Sequence, residues 1–285
     1  MAPLDPPAAE RVLTEPVVAS TAYDEDYYLH RCFGSDEWRE SDGQTPDPLY
    51  GGMLDLIGLQ PDTRVLDVGT GRGELPRVAV ERGASEAMGI DYSHAAIELA
   101  RKVAADRGLS HVTYRQADAR AIPAADGHYD LVTMLDVVEH LSPRELRDTL
   151  GEVRRVLAPG GQLFVHTAPN RLVYDVTYCI QRMVAPWRLW RWPADPRNEH
   201  ERTMHVNEQT QGSLGKALRT AGFDPVEVWL GWWIYTGFVP STRAGRTYHR
   251  LARLGRGLDR FGVADLYARA RAPAATGSPA PSDRG

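Results

Sequence analysis

Residues 65–73 read Val65-Leu-Asp-Val-Gly-Thr-Gly-Arg-Gly73, and this stretch says more about the architecture than any other part of the chain. Its apolar beginning predicts a short strand that ends near Asp67, and three glycines follow at once. Glycine adopts positive φ angles and has no side chain, so a ligand can approach the backbone closely. A helix-compatible stretch comes next, and its first N–H groups are available to a polar ligand. The stretch therefore predicts a ligand-binding strand–loop–helix unit.

The glycine spacing argues against a dinucleotide ligand. When Gly69 and Gly71 are taken as the first two glycines of a Gly-x-Gly-x-x-Gly fingerprint, the third position is Glu74. A carboxylate there would repel a pyrophosphate. We expect instead a nucleoside without phosphates, with Asp67 and Glu74 near its positively charged groups. A tight turn without a ligand is the alternative for this loop.

Strand and helix patterns alternate over residues 61–168, which predicts a parallel sheet with helical crossovers. The predicted strands lie near 64–68, 86–90, 111–115, 129–134 and 161–167, and the predicted helices near 73–82, 94–107 and 143–157. A helix near 209–221 and a strand near 223–229 continue the pattern, and a final strand is predicted near 231–236.

The Asp-x-Gly-x-Gly-x-Gly run resembles motif I of the class I S-adenosylmethionine (SAM)-dependent methyltransferases, including ubiquinone-pathway and bacterial secondary-metabolite enzymes. Three further segments agree in order, and the resemblance covers roughly residues 50–230. The segment 86–91 ends in Asp91, 24 residues after Asp67. The segments 116–119 and 129–136 resemble the adenine-binding segment and the fourth strand. The resemblance implies an α/β fold with a Rossmann-like, doubly wound, mostly parallel seven-stranded sheet, an N-terminal helical cap and a lid insert.

The resemblance also implies which residues bind SAM. Asp91 would accept hydrogen bonds from the ribose hydroxyls, and Asp118 would contact the adenine amino group. A strand-end cap is the alternative role for Asp91, and an Asx turn is the alternative for Asp118. The full predicted set is Asp67, Gly69, Thr70, Gly71, Gly73, Asp91, Tyr92, Asp118, Ala119 and Leu135.

The segment Asp136-Val-Val-Glu139-His140 has two interpretations. Its side chains brace the cleft, or they bind a metal ion. The second interpretation comes from a resemblance to the acid-x-x-Glu-His segment of metal-dependent ubiquinone-pathway O-methyltransferases and RNA 2′-O-methyltransferases, in which a distant histidine completes the site. His200 and His205 follow His140 by 60 and 65 residues, and His205 fits the family position better. The predicted metal set is Asp136, Glu139, His140 and His205, for Mg²⁺, Mn²⁺ or Zn²⁺. Asp136 is shorter than the Glu usual there.

Histidines near strand ends are the candidate general bases, because an imidazole exchanges a proton near neutral pH. His140, His166 and His205 are candidates, and we predict His140, Glu139 and His205 as the catalytic residues. Asn170, Tyr28 and Trp187 are the residues expected to contact the substrate. The segment after strand five lacks the Asn-Pro-Pro-Tyr pattern, so methylation of nucleic-acid bases or glutamine is disfavoured.

The flanking regions complete the predicted domain organisation. The predicted segments are a flexible N-terminus (1–20), a helical cap (21–60), a methyltransferase core (61–240) with a lid insert (171–203), a basic amphipathic helical extension (241–272) and a disordered tail (273–285). The aromatic segment 171–192 predicts core packing, a pocket for an apolar substrate or contact with a membrane surface. The basic segment 241–272 predicts a helix packed on its own domain or a second membrane contact.

Composition restricts the classes of function. The chain has 285 residues and a net charge of −5, which gives no general argument for nucleic-acid binding. Cys32 and Cys179 lack metal or redox spacing, and neither a signal peptide nor a run of about 18 apolar residues is present. We therefore expect a cytoplasmic protein. The oligomeric state stays open.

These observations predict a SAM-dependent methyltransferase that acts on oxygen, nitrogen or carbon of a small apolar or aromatic metabolite. The alternatives are a metal-dependent RNA 2′-O-methyltransferase, a non-catalytic SAM-binding module and a nicotinamide oxidoreductase. The acidic charge and the absence of a basic groove in the sequence pattern speak against RNA.

Overall fold

A computed structural model describes residues 13–184, 193–195, 197, 199–231 and 265–274. Within these residues, seven strands form one sheet in the order β3-β2-β1-β4-β5-β7-β6. They are β1 (Arg64–Val68), β2 (Glu86–Asp91), β3 (Val112–Gln116), β4 (Tyr129–Leu135), β5 (Leu157–Thr167), β6 (Val226–Gly231) and β7 (Asp265–Arg271). β1 to β5 are parallel, and β7 runs antiparallel to both of its neighbours. The predicted mostly parallel, seven-stranded sheet is confirmed.

Helices flank the sheet. Those in the described residues are α1 (Ser35–Glu40), α2 (Pro48–Ile57), α3 (Glu74–Glu81), α4 (His94–Asp106), α5 (Pro143–Val156), α6 (Cys179–Val184), α7 (Glu199–Met204) and α8 (Gln211–Thr220). Their starts carry the expected signals. Ser142 and Glu145 form a reciprocal capping box at α5, and Pro143 occupies its first turn. These local bonds place α5 directly after the β4 turn that holds the candidate catalytic residues.

The sheet is buried on both faces, because neighbouring residues of a strand point to opposite sides. On β1, Val65 packs in one apolar cluster with Leu54 and Phe164, whereas Leu66 packs in another with Leu150. The side chains of Val65 and Leu66 are both 0% exposed. Among the described residues, apolar clusters and helices thus cover both faces of the sheet and leave its strand ends open to a ligand.

The C-terminal prediction needs a correction. Residues 265–271 form β7 rather than the end of a basic helix, and β7 lies between β5 and β6. Leu266, Ala268 and Ala270 are buried in the sheet, which is why these residues extend instead of coiling. The predicted core limit at residue 240 is therefore too early. The apolar residues that predicted the helix lie within 251–261, outside the described residues, and so do residues 232–236 of the predicted final strand.

The N-terminal prediction is partly wrong. Residues 1–12 lie outside the described residues, but the next part of the predicted flexible segment is packed. The Val17 N–H donates to Glu145 Oε1 at 2.9 Å, and Val18 is buried beside Tyr23 and Met204. Burial of the apolar Val18 side chain explains this, because it offsets the entropy lost on ordering, whereas the Val17 side chain stays exposed and contributes its backbone N–H. Short helical segments and α1–α2 follow, in the region predicted as a helical cap.

The predicted lid insert is described in part. α6 and α7 lie within it, and Arg197 forms a two-bond ion pair with Glu208 at 2.8 and 2.6 Å. The Tyr174 hydroxyl donates to Glu201 Oε1 at 2.9 Å. These contacts fix α7, which precedes His205, against the rest of the insert. Residues 185–192, which include all three tryptophans of this segment, lie outside the described residues.

No helix among the described residues is both long and apolar enough to span a bilayer. The two segments predicted to contact a membrane surface lie partly outside the described residues.

Candidate active site

A cavity of about 380 Å³ opens at the carboxyl ends of β1, β2 and β4. This is the edge of an α/β sheet at which ligands usually bind. The glycine loop forms its floor, and tyrosines of the cap, Tyr23, Tyr27 and Tyr28, form part of its cover. Its volume lies within the usual range for small-molecule sites.

The glycine loop has the backbone that its sequence predicts. Gly69, Gly71 and Gly73 have φ angles of 73°, 52° and 76°. At Gly69 a side chain would collide with Val137, which follows β4. Gly69 therefore allows the end of β4 to approach the loop, in addition to providing the positive φ angle.

Asp91 is buried at the end of β2 and holds the glycine loop. Its two carboxylate oxygens accept hydrogen bonds from the Gly71 N–H at 3.0 Å and the Ser93 N–H at 2.9 Å. Burial raises the pKa of Asp91 to about 6, although these bonds favour the charged form. Asp91 also lines the cavity, where it can meet a sugar hydroxyl.

Asp67 ends β1 and is also buried. The Thr133 hydroxyl donates to Asp67 Oδ1 at 2.6 Å. Burial raises the pKa of Asp67 to about 7. Its carboxyl lines the cavity beside Thr70, another residue of the predicted cofactor set.

The predicted adenine-binding residue Asp118 has a partner that the sequence did not predict. The Arg120 guanidinium donates to both oxygens of Asp118, with Nη2 to Oδ2 at 2.6 Å and Nε to Oδ1 at 2.9 Å. Arg120 is buried and also lies 3.7 Å from Glu145, the acceptor for Val17. Through Glu145 and Arg120, the segment around Val17 is thus linked to Asp118 at the cavity wall.

The remaining predicted cofactor residues, Tyr92, Ala119 and Leu135, also line the cavity. The Tyr92 hydroxyl donates to the Val18 carbonyl at 3.4 Å, and its ring lies 5.5 Å from that of Tyr23. Tyr92 therefore connects the cavity wall to Val18 and to Tyr23 of the cap.

The prediction for Glu74 is wrong. Its carboxylate is buried away from the cavity, where it accepts hydrogen bonds from Arg72 Nη2 and the Asp47 N–H, both at 3.1 Å. Arg72 in turn donates to the carbonyls of Tyr28 and Phe33 at 3.1 and 2.8 Å. This buried pair attaches the cap to the glycine loop and does not face a ligand.

The three predicted catalytic residues, Glu139, His140 and His205, lie together in the cavity wall. Glu139 and His140 lie in a short turn after β4, and His205 follows α7. One ligand atom from each residue lies within 4.8 Å of the others. The Asn207 N–H donates to the Glu139 carbonyl at 3.0 Å, which brings the two distant segments together. The side chain of His200, the other histidine considered, lies outside the described part of the structure.

His140 is oriented through Nδ1. This atom lies 2.9 Å from the Tyr23 hydroxyl and 3.1 Å from the Met204 carbonyl oxygen. A carbonyl oxygen only accepts hydrogen bonds, so the second contact favours a proton on Nδ1. In that tautomer Nε2 carries the lone pair that can take a proton or bind a cation. Tyr23 was not predicted as a site residue, although the tyrosine-rich cap sequence was the available signal.

Glu139 is held in an unusual environment for a carboxylate. It is 1% exposed and accepts a hydrogen bond from the Thr167 hydroxyl at 2.7 Å. Burial and the nearby Asp136 charge raise the pKa of Glu139 to about 8. Such a group exchanges a proton near neutral pH, as a general base must.

Asp136 does not join this group, contrary to the predicted metal set. Its Oδ1 lies 2.8 Å from His166 Nδ1, and His166 Nε2 lies 3.6 Å from Asp265 Oδ1. Burial disfavours the charged form of His166, but the two carboxylates outweigh it and raise its pKa to about 10. Burial likewise opposes the charge on Asp136, whose pKa lies below its usual value because His166 pairs with it. The short Asp side chain is directed to His166 and not to His140.

The predicted substrate residues have different outcomes. Tyr28 lines the cavity, and its ring lies beside Gly71, which places it next to the cofactor loop. Asn170 is buried, is not part of the cavity lining, and accepts a hydrogen bond from the Leu172 N–H at 3.3 Å. Its side chain caps the helical turn that follows β5, so the structure does not bring it to the cavity. Trp187 lies outside the described residues.

Comparison with known proteins identifies the family. The family described as "Methyltransferase domain" matches residues 65–161. The ubiquinone/menaquinone biosynthesis C-methyltransferase UbiE of Ectopseudomonas mendocina is 32% identical over 199 residues, which cover 63% of this chain and 75% of that protein. The demethylmenaquinone methyltransferase of Thermus thermophilus is 38% identical over 117 residues, 41% of this chain and 52% of that protein. This chain thus aligns with about half of the Thermus protein.

Solved structures show the same fold. The [4+2]-cyclase SpnF has a TM-score of 0.57 at 22% identity, covering 80% of this chain and 82% of its own. The geranyl diphosphate C-methyltransferase of Streptomyces coelicolor, solved with S-adenosyl-L-homocysteine, has a TM-score of 0.53 at 17% identity, covering 79% and 78%. The fold, the family match and the named relatives agree. The chain therefore belongs to the class I SAM-dependent methyltransferases, and SAM is its methyl donor.

Proposed function

We propose that this enzyme methylates a small, apolar or aromatic metabolite at a ring hydroxyl or at the ring carbon that the hydroxyl activates. The observation that carries the proposal is the cluster of Glu139, His140 and His205 in the same cavity that the glycine loop and Asp91 line. Two of the relatives are named as a C-methyltransferase and an O-methyltransferase of quinone biosynthesis. Both reactions begin with an acceptor made electron-rich by loss of a proton.

The order of the strand ends supports the placement of the cofactor. Asp118 follows β3 and would meet the adenine, and Asp91 ends β2 and would bind the ribose hydroxyls. The loop after β1 would hold the methionine portion. The sulfur would then lie near the end of β4, facing the Glu139 cluster.

The cap supports an aromatic acceptor. Tyr23, Tyr27 and Tyr28 contribute rings to the cavity, with Tyr23 and Tyr27 packed edge to face at 5.2 Å. Flat aromatic surfaces favour a flat apolar ligand, and Tyr23 also contacts His140. The acceptor hydroxyl would therefore point towards the histidine while its ring packs against the tyrosines.

The chemistry follows from these positions. Glu139 or His140 takes the hydroxyl proton, either directly or with the other of the two passing it on. The electron pair left on the acceptor attacks the methyl carbon, the C–S bond breaks, and a neutral thioether leaves. When the ring carbon is the acceptor, that carbon then loses its proton to solvent and the ring oxygen takes a proton back from the protonated base, which restores the aromatic ring. Alignment of the two ligands can supply about 7–11 kcal/mol of the barrier in favourable cases. General base catalysis typically adds about 10²–10⁴-fold.

As the alternative to general-base catalysis by Glu139 or His140, the same three residues would hold a divalent cation. One carboxylate and two imidazoles form a donor set that suits Mn²⁺ or Zn²⁺, and also accommodates Mg²⁺ together with water ligands. Such an ion would lower the pKa of a bound hydroxyl. Asp136 is not part of this proposal, because its carboxylate pairs with His166.

The acceptor proposal is tested by turnover. Purified enzyme is incubated with SAM and a panel of hydroquinones and catechols, and S-adenosyl-L-homocysteine release is measured with mass analysis of the product. We expect turnover with free ring hydroxyls and none with their fully O-methylated counterparts. Turnover with simple amines alone would contradict the proposal.

The metal proposal needs its own measurement. Calorimetric titration of Mn²⁺ into chelator-treated enzyme should show one site, and His205→Ala should weaken it at least tenfold. His111→Ala, an exposed histidine at the start of β3, is the matched control and should bind Mn²⁺ as the wild type does. Full turnover in EDTA together with no Mn²⁺ binding would refute the metal proposal and leave general-base catalysis as the mechanism.

The alternatives are not favoured. The relatives are named for small-molecule methyl transfer and not for RNA 2′-O-methylation. A non-catalytic SAM-binding module would not need a buried, proton-exchanging Glu139 beside two histidines. A nicotinamide oxidoreductase does not fit the family match.

A further inference from the structure

Asp136 lies where the methyl donor and the acceptor should meet. The strand order places Asp118, Asp91, the glycine loop and Asp136 in a row along one edge of the sheet. A nucleoside whose base and sugar lie at the first two positions extends its sulfur past the glycine loop. Val137 packs against Gly69, so the turn at Asp136 directly adjoins that loop.

The backbone and side chain of Asp136 are held in a defined orientation. Its φ angle is 53°, and its N–H donates to the His166 carbonyl at 3.0 Å. Its carboxylate lies 2.8 Å from the His166 imidazole, yet 53% of the side chain is exposed, and Asp136 lines the cavity. Both the ion pair and the backbone bond therefore keep the carboxylate at the cavity wall.

His166 does not cancel the negative charge of this wall. The imidazole is 1% exposed and lies between Asp136 and the buried Asp265. Two carboxylates and one imidazolium leave a net negative charge. Asp136 is the most exposed of the three side chains, and it lines the cavity. The rings of Tyr27 and Tyr28 also line this region, and aromatic faces attract cations.

We propose that Asp136, held by His166, recognises the positive charge of the sulfonium and lets the enzyme distinguish SAM from its neutral product S-adenosyl-L-homocysteine. The two ligands share the adenine, the ribose and the amino-acid group, so contacts to those parts do not discriminate between them. A carboxylate beside the sulfur favours the donor and is indifferent to the thioether. The product is thereby released more readily than the donor. This inference requires the methyl donor only and does not depend on the proposed acceptor.

Calorimetry with Asp136→Asn tests the inference without any acceptor. Asn keeps the shape of the side chain and tolerates a positive φ angle. We expect the dissociation constant for SAM to rise about fivefold to tenfold and that for S-adenosyl-L-homocysteine to change by less than about twofold. EDTA is present throughout, so that no metal charge contributes. An analogue with an ammonium group in place of the sulfonium should behave like SAM.

Asp130→Asn is the matched control. It removes the same charge from the other end of β4, where Asp130 pairs with Arg64 away from the cavity, and should leave both affinities unchanged. If Asp136→Asn does not bind S-adenosyl-L-homocysteine, Asp136→Gly provides the second variant, because glycine adopts the same φ angle without a carboxylate. An unchanged ratio of the two dissociation constants in the variant that folds would overturn the inference. A wild-type protein that binds neither ligand would instead refute the cofactor site.

Discussion

The two ends of the cavity are built in different ways. At the proposed cofactor end, backbone N–H groups of the glycine loop donate to the Ile90 carbonyl and to the Asp91 carboxylate, both at the end of the neighbouring strand. At the acceptor end, Glu139, His140 and His205 meet through side chains from segments far apart in the chain. Backbone contacts position a ligand that all members of a family share. Side-chain contacts from distant segments can change with the acceptor while the sheet stays the same.

The two ends of the cavity also differ in the groups that surround their carboxyls. The cofactor end carries buried carboxylates, Asp67 and Asp91, stabilised by hydrogen-bond donors. The acceptor end instead places Glu139, whose pKa is raised to about 8, beside two imidazoles, so a proton taken from an acceptor has a neighbouring group to move to. We therefore expect substitutions at one end to affect binding of SAM and those at the other end to affect turnover.

The largest effect should come from Glu139→Gln. Loss of the base should lower turnover on an accepted hydroquinone about a hundredfold, with cofactor affinity within about twofold of the wild type. The wild-type rate should rise as the pH increases towards about 8, because only the deprotonated carboxylate accepts a proton. Steady-state rates between pH 6 and 9, with calorimetry on the same protein, measure both. A variant that loses SAM affinity and turnover in parallel would mean that the two ends do not act separately.

Asp91→Ala should have the next largest effect, and on binding. Two backbone N–H groups lose their acceptor and the ribose loses its partner, so the affinity for S-adenosyl-L-homocysteine should fall about thirtyfold. Calorimetry measures it, with Asp130→Asn as the control. Unchanged affinity would remove Asp91 from the cofactor site.

The pH dependence of stability should distinguish the acceptor end in the ligand-free protein. The pKa of Glu139 in the folded state is about 8, above its ordinary value of 4.5, so the folded state retains a proton that the unfolded state releases. Its contribution to stability is complete below pH 4.5 and is lost as the pH rises through 8. Glu139→Gln should therefore flatten the fall in the free energy of unfolding by at most about 1.4 kcal/mol per pH unit. Urea denaturation at several pH values in EDTA provides the measurement, and identical slopes would contradict the raised pKa.

The smallest effect is expected for Tyr23→Phe, at the boundary between the two ends. Removal of the hydroxyl near His140 Nδ1 leaves the ring in place, so turnover should fall about threefold to tenfold. Affinity for the cofactor should stay within about twofold. Equal losses in turnover and in cofactor affinity would show that Tyr23 serves to close the cap and does not orient His140.

The predictions that agree best with the structure concern residues that lie close together in the chain. The glycine loop and Asp91 lie in contiguous motifs, and the structure brings them together as predicted. The directions of the Glu74 and Asn170 side chains could not be predicted from the neighbouring sequence. Glu74 starts a helix next to the loop, but the direction of its side chain depends on Arg72 and the cap. Asn170 follows a strand end, but it caps the next helical turn.

The C-terminal strand had no reliable local signal. β7 contains Arg269 and Arg271, and in a basic region these residues resemble a solvated helix face. β7 is buried because it pairs with β5 on one edge and β6 on the other. This pairing cannot be predicted from the residues of β7 alone. Asp265 reaches His166 only because of that pairing.

Local patterns thus sufficed for the class of fold and the identity of the methyl donor, because turn geometry and strand ends depend on neighbours in the chain. The partners of the ionisable groups required the folded molecule. His205 joins Glu139 and His140, Asp136 turns to His166, and Glu74 faces away from the ligand. Each of these outcomes depends on which distant segment packs against a side chain and on how much water that packing removes, and neither quantity is encoded in the spacing of residues.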